Sequence, residues 1–86
     1  MASYSLLIKP SAAREIESIG QKKDRLRIVA KIRTLAHQPR GIQSEKLQGD
    51  SRYRMRVGSY RVVYSISDED RVVVVVRVAH RKDVYR

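Results

Sequence analysis

Hydrophobic and polar positions alternate most regularly from Tyr53 to Tyr64, which reads Tyr-Arg-Met-Arg-Val-Gly-Ser-Tyr-Arg-Val-Val-Tyr. Period two on both sides of a Gly-Ser dipeptide predicts a β-hairpin with glycine at the first turn position. A two-residue loop of Gly58 and Ser59 sets Val57 opposite Tyr60, Met55 opposite Val62 and Tyr53 opposite Tyr64. The same register sets Arg56 opposite Arg61, with Arg54 two residues along on that face. Like charges directly across a ladder destabilise it by some tenths of a kcal/mol. A chain that keeps such a pair is expected to hold something negative there, with nucleic acid the first candidate.

The rest of the pattern supplies two helices and more strand. Residues 3–9 read as a strand ended by Pro10. Ser11 is expected to cap a helix that carries Ala12, Ile16 and Ile19 along one face and stops at Gly20. A second helix runs from about Lys22 to His37, with Leu26, Val29, Ile32 and Leu35 or Ala36 as its apolar stripe. Pro39 and Gly41 then break the chain, and residues 44–48 leave room for a short edge segment before Gly49 and Asp50. Hairpin strands cover 52–57 and 60–67. Asp68, Glu69 and Asp70 make the next turn, as solvated acids. Arg71 to Ala79, with five consecutive valines, reads as a central buried strand. The fold class is α+β: a small twisted, mainly antiparallel sheet in the order β-α-α-β-β-β, with a helical hairpin packed on one face.

Face parity extends the register. Ile66, on the core face, pairs most simply with Val72 across a three-residue loop, which places Val63 against Val75 and Arg61 against Arg77. Arg56, Arg61 and Arg77 then form a row across three adjacent strands, away from the helices. A loop of four residues would turn Arg77 into the core, where a lone charge is prohibitively expensive.

Eighty-six residues make a single domain, 1–86. Nineteen Lys and Arg against nine Asp and Glu give a net charge of +10, a balance that favours polyanions. No acid lies between Asp50 and Asp68, and arginine suits bidentate phosphate contact. The C-terminal segment adds His80, Arg81, Lys82, Tyr85 and Arg86 where the central strand emerges. Tyr85 there is available to stack on a nucleobase, worth roughly 1–3 kcal/mol. The absence of cysteine excludes disulfides and a thiol nucleophile, and with only two histidines neither a metal site nor a cofactor is expected. No Gly-rich phosphate loop, Ser-His-Asp order or paired-carboxylate arrangement occurs. The N-terminal apolar run lacks a basic flank and reads as strand rather than signal peptide. No window approaches the roughly 20 apolar residues of a membrane span, so a cytoplasmic protein without membrane contact is expected.

The element order, Lys46-Leu47, the Gly-x-Tyr-Arg-Val-Val-Tyr string of the hairpin, the valine-rich strand and the Arg81-to-Tyr85 spacing resemble RelE toxins of the RelE/ParE toxin–antitoxin superfamily. The likeness covers essentially the whole chain. It implies a type II toxin that enters the ribosomal A site and cuts messenger RNA there, by attack of a ribose 2′-hydroxyl on the adjacent phosphate. Carried over by position, Arg54 and Arg56 match the two basic residues of the first hairpin strand. Arg61 matches the phosphate-binding arginine, Arg81 the general acid, and Tyr85 the tyrosine that orients the substrate base. Arg77 matches no family residue and rests on the register alone; with His80 and Lys82 it is placed among RNA-binding positions.

One departure concerns the general base. Well-known members carry lysines where Arg54 and Arg56 stand, and arginine does not accept a proton at neutral pH. His80, Tyr85 or the ribosome could take that part. The resemblance also implies a cognate antitoxin that wraps the domain, and a complex that binds operator DNA through the antitoxin. Two other readings share the fold or the charge: a ParE-like, non-enzymatic inhibitor of DNA gyrase, and a nucleic-acid-binding module without enzymatic activity.

Overall fold

The computed structural model of the protein describes residues 3–41, 44–47 and 51–82. Its elements are β1 (Ser5–Ile8), α1 (Pro10–Glu17), α2 (Lys22–Thr34), β2 (Ser44–Lys46), β3 (Arg52–Val57), β4 (Tyr60–Ser67) and β5 (Val72–His80). Gly49, Asp50, Tyr85 and Arg86 lie outside the described residues.

Helix α1 begins two residues earlier than the sequence suggests. Pro10 occupies its first turn, where a fixed φ suits the helix and the missing N–H would have no partner anyway. Lys9 is the N-cap and makes no side-chain cap, so Ser11 sits inside the helix and caps nothing. Helix α2 ends at Thr34 rather than His37. There the Thr34 hydroxyl donates to Lys31 O at 2.6 Å. The backbone then tightens into i→i−3 bonds, Leu35 N–H to Ile32 O and His37 N–H to Thr34 O.

The apolar stripe of α2 also differs from expectation. Ile28, Ile32 and Leu35 are buried, whereas Leu26 is 60% exposed. Two stripes overlap in this sequence, and Val29, half-buried, borders both. The one spaced 28-32-35 carries three branched side chains to the core.

The five strands lie in the order β1-β5-β4-β3-β2. Only β1 and β5 are parallel; the other neighbours are antiparallel. Ala12, Ile16 and Ile19 of the first helical segment and the α2 stripe meet Met55, Val57, Val62, Tyr64, Val73, Val75 and Val78 in one core. In the valine run, Val73 and Val75 are fully buried while Val72, Val74 and Val76 are half-buried. The strand is central, as expected, but its sheet is covered by helices on one face.

The β3–β4 hairpin has the expected register throughout, including Arg56 opposite Arg61. Gly58 takes φ +58°, and Ser59 does not share the left-handed region, the combination of a type II′ turn.

The β4–β5 register does not follow the three-residue loop. Ser67 pairs with Val72, so the turn has four residues, and its last, Arg71, adopts φ +56°. Such a turn in an unbroken ladder would bring Arg77 opposite Val62, on the core face. A bulge prevents this: Tyr64 pairs with Val75 and Val63 with Arg77, which leaves Val76 as the extra residue. Arg77 therefore stays out of the core, as its charge demands, by a different device. The expected row of Arg56, Arg61 and Arg77 is not formed, because Arg61 faces Ala79.

A polar clasp ties the loop after α2 to the β4–β5 turn. Arg40 donates through Nη1 and Nη2 to the two Asp68 carboxylate oxygens, at 3.1 and 2.8 Å, and through Nε to Tyr53 OH. Tyr4 OH donates to the same carboxylate at 2.6 Å. These bonds, Arg40 foremost, hold the Asp68 carboxyl down at about 2. Asp68 is thus a structural partner and not merely a solvated turn acid. Beneath it, the fully buried Tyr64 donates to Pro39 O at 2.6 Å, stacks on Tyr53 and bonds Ser44.

Candidate functional site

Arginine reaches the sheet face opposite the helices because β3 and β4 alternate. Met55, Val57, Val62 and Tyr64 turn to the core, and Arg54, Arg56, Arg61 and Val63 to the other side. Val63 is only 7% exposed yet stands outside the helix-side core. In register it lies between Arg54 on β3 and Arg77 on β5, so their aliphatic stems cover it.

Arg61 is the electrostatic centre of this face. Burial, followed by the charges of Arg56, Arg54 and Arg81, holds its guanidinium below the ordinary arginine range. The charges of three other arginines, from β3 and the segment after β5, thus act on Arg61, which faces Arg56 directly across the ladder. Arginine nevertheless stays charged in proteins. Arg61 Nη1 donates to Tyr60 O at 3.1 Å. Arg81 is fixed beside the hairpin turn by its own N–H, which donates to Ser59 O at 2.8 Å. No ion pair joins Arg56, Arg61 or Arg81 to a carboxylate among the described residues.

Two other expected site residues are engaged within the chain. Arg54 donates to Glu45 Oε2 at 2.8 Å across the β2–β3 ladder, and that bond pulls the Glu45 carboxyl below its usual range. Arg77 Nε comes within 3.9 Å of Glu15 Oε2 at the edge of β5. There β1 has ended, and Glu15 Oε1 accepts the uncovered N–H of Val78 at 2.8 Å.

His80 does not join the arginines. It faces Tyr60 on the helix side of the ladder and meets that ring edge-on at 5.5 Å. Its Nδ1 accepts the Lys82 N–H at 3.3 Å. Lys82 is exposed beside Arg81. The assembled set is therefore Arg56, Arg61 and Arg81, with Arg54 at its flank.

Sequence reasoning missed Glu15 and Glu45. Counting outward from the Gly49-Asp50 dipeptide gives Lys46 against Tyr53 and Glu45 against Arg54, so the second was within reach. Glu15 approaches β5 through tertiary packing, which no local pattern reports. Among the described residues no group of three or more His, Asp or Glu is placed to hold a metal ion, and no helix is long and apolar enough to cross a membrane.

A cationic sheet face beside a tight hairpin, on a β1-β5-β4-β3-β2 sheet, can be set against known proteins. The family model described as the ParE toxin of the type II toxin–antitoxin system parDE matches residues 6–85. The chain belongs to the RelE/ParE superfamily of type II toxins. Toxin RelG of Mycobacterium tuberculosis is 50% identical over 34 residues, which is 40% of this chain and 39% of RelG. The toxin thus aligns with well under half the length of that curated relative. Its fold is similar to the crystal structure of the RelBE2 toxin–antitoxin complex of M. tuberculosis, at TM-score 0.81 and 26% identity over 92% of this chain and 99% of that one. It is also similar to the isolated RelE toxin of E. coli, at TM-score 0.78 and 30% identity, covering 96% of this toxin and 92% of that chain. The α+β class and the mainly antiparallel five-stranded sheet agree with these neighbours.

Proposed function

We propose that this toxin inhibits translation as a ribosome-dependent messenger RNA endoribonuclease. The observation that carries the reading is Arg61 facing Arg56 across the ladder, with the charges of Arg54 and Arg81 added and no carboxylate paired with Arg61 among the described residues. Mutual repulsion of this kind is relieved when a polyanion arrives. Donors fixed in advance favour the state with most charge on phosphorus-bound oxygen. In the reaction, a ribose 2′-oxygen attacks the adjacent phosphate and the 5′-oxygen leaves, giving a 2′,3′-cyclic phosphate. Arg56 and Arg61 stabilise the phosphorane, and Arg81, in the position that the resemblance gives the general acid, hydrogen-bonds the leaving 5′-oxygen, which takes its proton from solvent. Arg54 contributes long-range charge while Glu45 holds it. Tyr85 orients the substrate base.

The base that accepts the 2′-hydroxyl proton is not one of these arginines. In the geometry described, His80 is a poor candidate. Its Nδ1 is already an acceptor, and it stands on the helix side of the sheet. Tyr85 or a ribosomal group then takes the proton. A cognate antitoxin neutralises the toxin by covering Arg61 and Arg81 or displacing the tail, and the pair binds operator DNA through the antitoxin.

Primer extension on a translated message after brief induction tests this. Cuts between the second and third codon positions are expected, and Arg61→Ala or Arg81→Ala removes both the cuts and the growth arrest while antitoxin binding persists. Full toxicity in both variants would refute the assignment. The second reading, a gyrase poison, is favoured by the ParE description of the matching family. It predicts an early SOS response and halted replication, with uncut messages.

A further inference from the structure

The helix layer bears a second cationic surface that the arginine face does not explain. Helix α2 holds six cations and one acid between Lys22 and Thr34. At 3.6 residues per turn, Ile28, Ile32 and Leu35 face the core. The opposite arc carries Lys22, Lys23, Leu26, Arg27, Ala30 and Arg33, all exposed. Four of those six are cations and none is an acid. Asp24 sits on the half-buried flank, and Arg25 is occupied by Ile19 O at 2.6 Å.

The arc is continuous with the site. Arg27 Nη1 lies 3.3 Å from the point that a Cβ on Gly58 would occupy, directly over the hairpin turn. Arg81 meets the same turn through Ser59 O, and Arg56 and Arg61 stand on the strands that leave it. Positive charge therefore runs from the sheet face around the hairpin tip and onto α2.

We propose that this exposed face of α2 binds the phosphate backbone of folded, double-stranded RNA, in addition to the strand held by the arginines. The proposal rests on the RNA reading given above. Leu26 is an isolated exposed apolar residue, which is ordinary for a surface and too little to anchor a protein. Protein interfaces are depleted in lysine and built around aromatic or apolar anchors, and the arc has no aromatic residue. Single-stranded RNA is gripped by aromatic stacking platforms in grooves, whereas this helix face carries four cations, no acid and no aromatic residue. Lys23 and Arg27, one helical turn apart, have Cβ atoms about 5–6 Å from each other, so their long side chains can reach neighbouring backbone phosphates.

The test uses the full chain with Arg61→Ala, so that it can be produced, and a labelled mixed-sequence RNA duplex followed by fluorescence anisotropy against salt. Lys23→Ala with Arg27→Ala is compared with Lys9→Ala with Arg14→Ala, two exposed cations elsewhere that remove the same charge. The α2 pair should weaken duplex binding about tenfold and flatten the log–log salt dependence by about 1.8, the loss of two phosphate contacts. The control pair should change affinity less than twofold. Equal losses in both pairs, or none in either, overturn the proposal. Unchanged duplex binding with weakened antitoxin binding also overturns it, by giving the face to a protein. Because no cleavage is read, an absence of message cutting by the parent toxin would defeat the enzymatic reading alone.

Discussion

Removing one of the five valines of β5 tests whether the bulge at Val76, rather than the turn, decides where Arg77 points. Because Val72 to Val76 are identical, deletion of any one gives the same chain. With four valines, the ladder passes from Tyr64 opposite Val75 directly to Val63 opposite Arg77, then to Val62 with Val78 and Tyr60 with His80. Every observed pair survives and the bulge disappears. The deletion removes one half-buried valine, worth about 1 kcal/mol of the 1.5–3 for full burial. It restores ladder hydrogen bonding worth about 0.5–1.5 kcal/mol. The net change stays within about 1 kcal/mol, a shift of at most about 4–8 °C in Tm for a domain of this size. A sixth valine also has a ladder without a bulge, but that ladder sets the arginine opposite Arg61, a like-charged pair, and slips every observed pair beyond Tyr64 by two positions; it should melt below the deletion variant. Both variants are measured by thermal unfolding in the Arg61→Ala background. A deletion variant that melts more than about 15 °C below its parent would defeat the reasoning, and so would an insertion that melts with it.

Two further outcomes follow from the clasp. Tyr64→Phe leaves the buried Pro39 carbonyl without its donor and should destabilise the fold by about 1–3 kcal/mol in urea unfolding; an unchanged midpoint would show that the hydroxyl contributes nothing. The folded Asp68 carboxyl is held at about 2, below its ordinary 3.8. The stability it confers is therefore complete above about pH 5 and lost as pH falls through 3.8 towards 2. Arg40→Ala should flatten that part of the Tm–pH curve, and parallel curves for parent and variant would count against the clasp.

The hairpin was legible to the residue because strict alternation and a Gly-Ser turn leave one register. The next ladder was not. Five identical valines carry no alternation, so the sequence could not show a four-residue turn offset by a bulge. The physical constraint used there, that Arg77 must avoid the core, held even though the row of three arginines did not form. Leu26 misled for a related reason: two overlapping stripes fit the helical period, and only packing chose between them. The placement of Arg56 opposite Arg61 was legible in the hairpin alternation. The carboxylates that hold Arg54 and Arg77 depend on where α1 and β2 settle, and the placement of His80 depends on the bulge.

Val63 has a consequence for how this toxin can be disarmed. Its shelter is made of arginine side chains, so the guanidinium-bearing residues at its sides are also its roofing. Trimming Arg54 to alanine uncovers an aliphatic patch in the middle of a bare sheet, and invites sticking as well as loss of charge. Arg61 opposes Ala79 and shelters no such neighbour across β5. Inactive copies that remain well-behaved molecules should therefore arise more readily by changes at Arg61 than at Arg54.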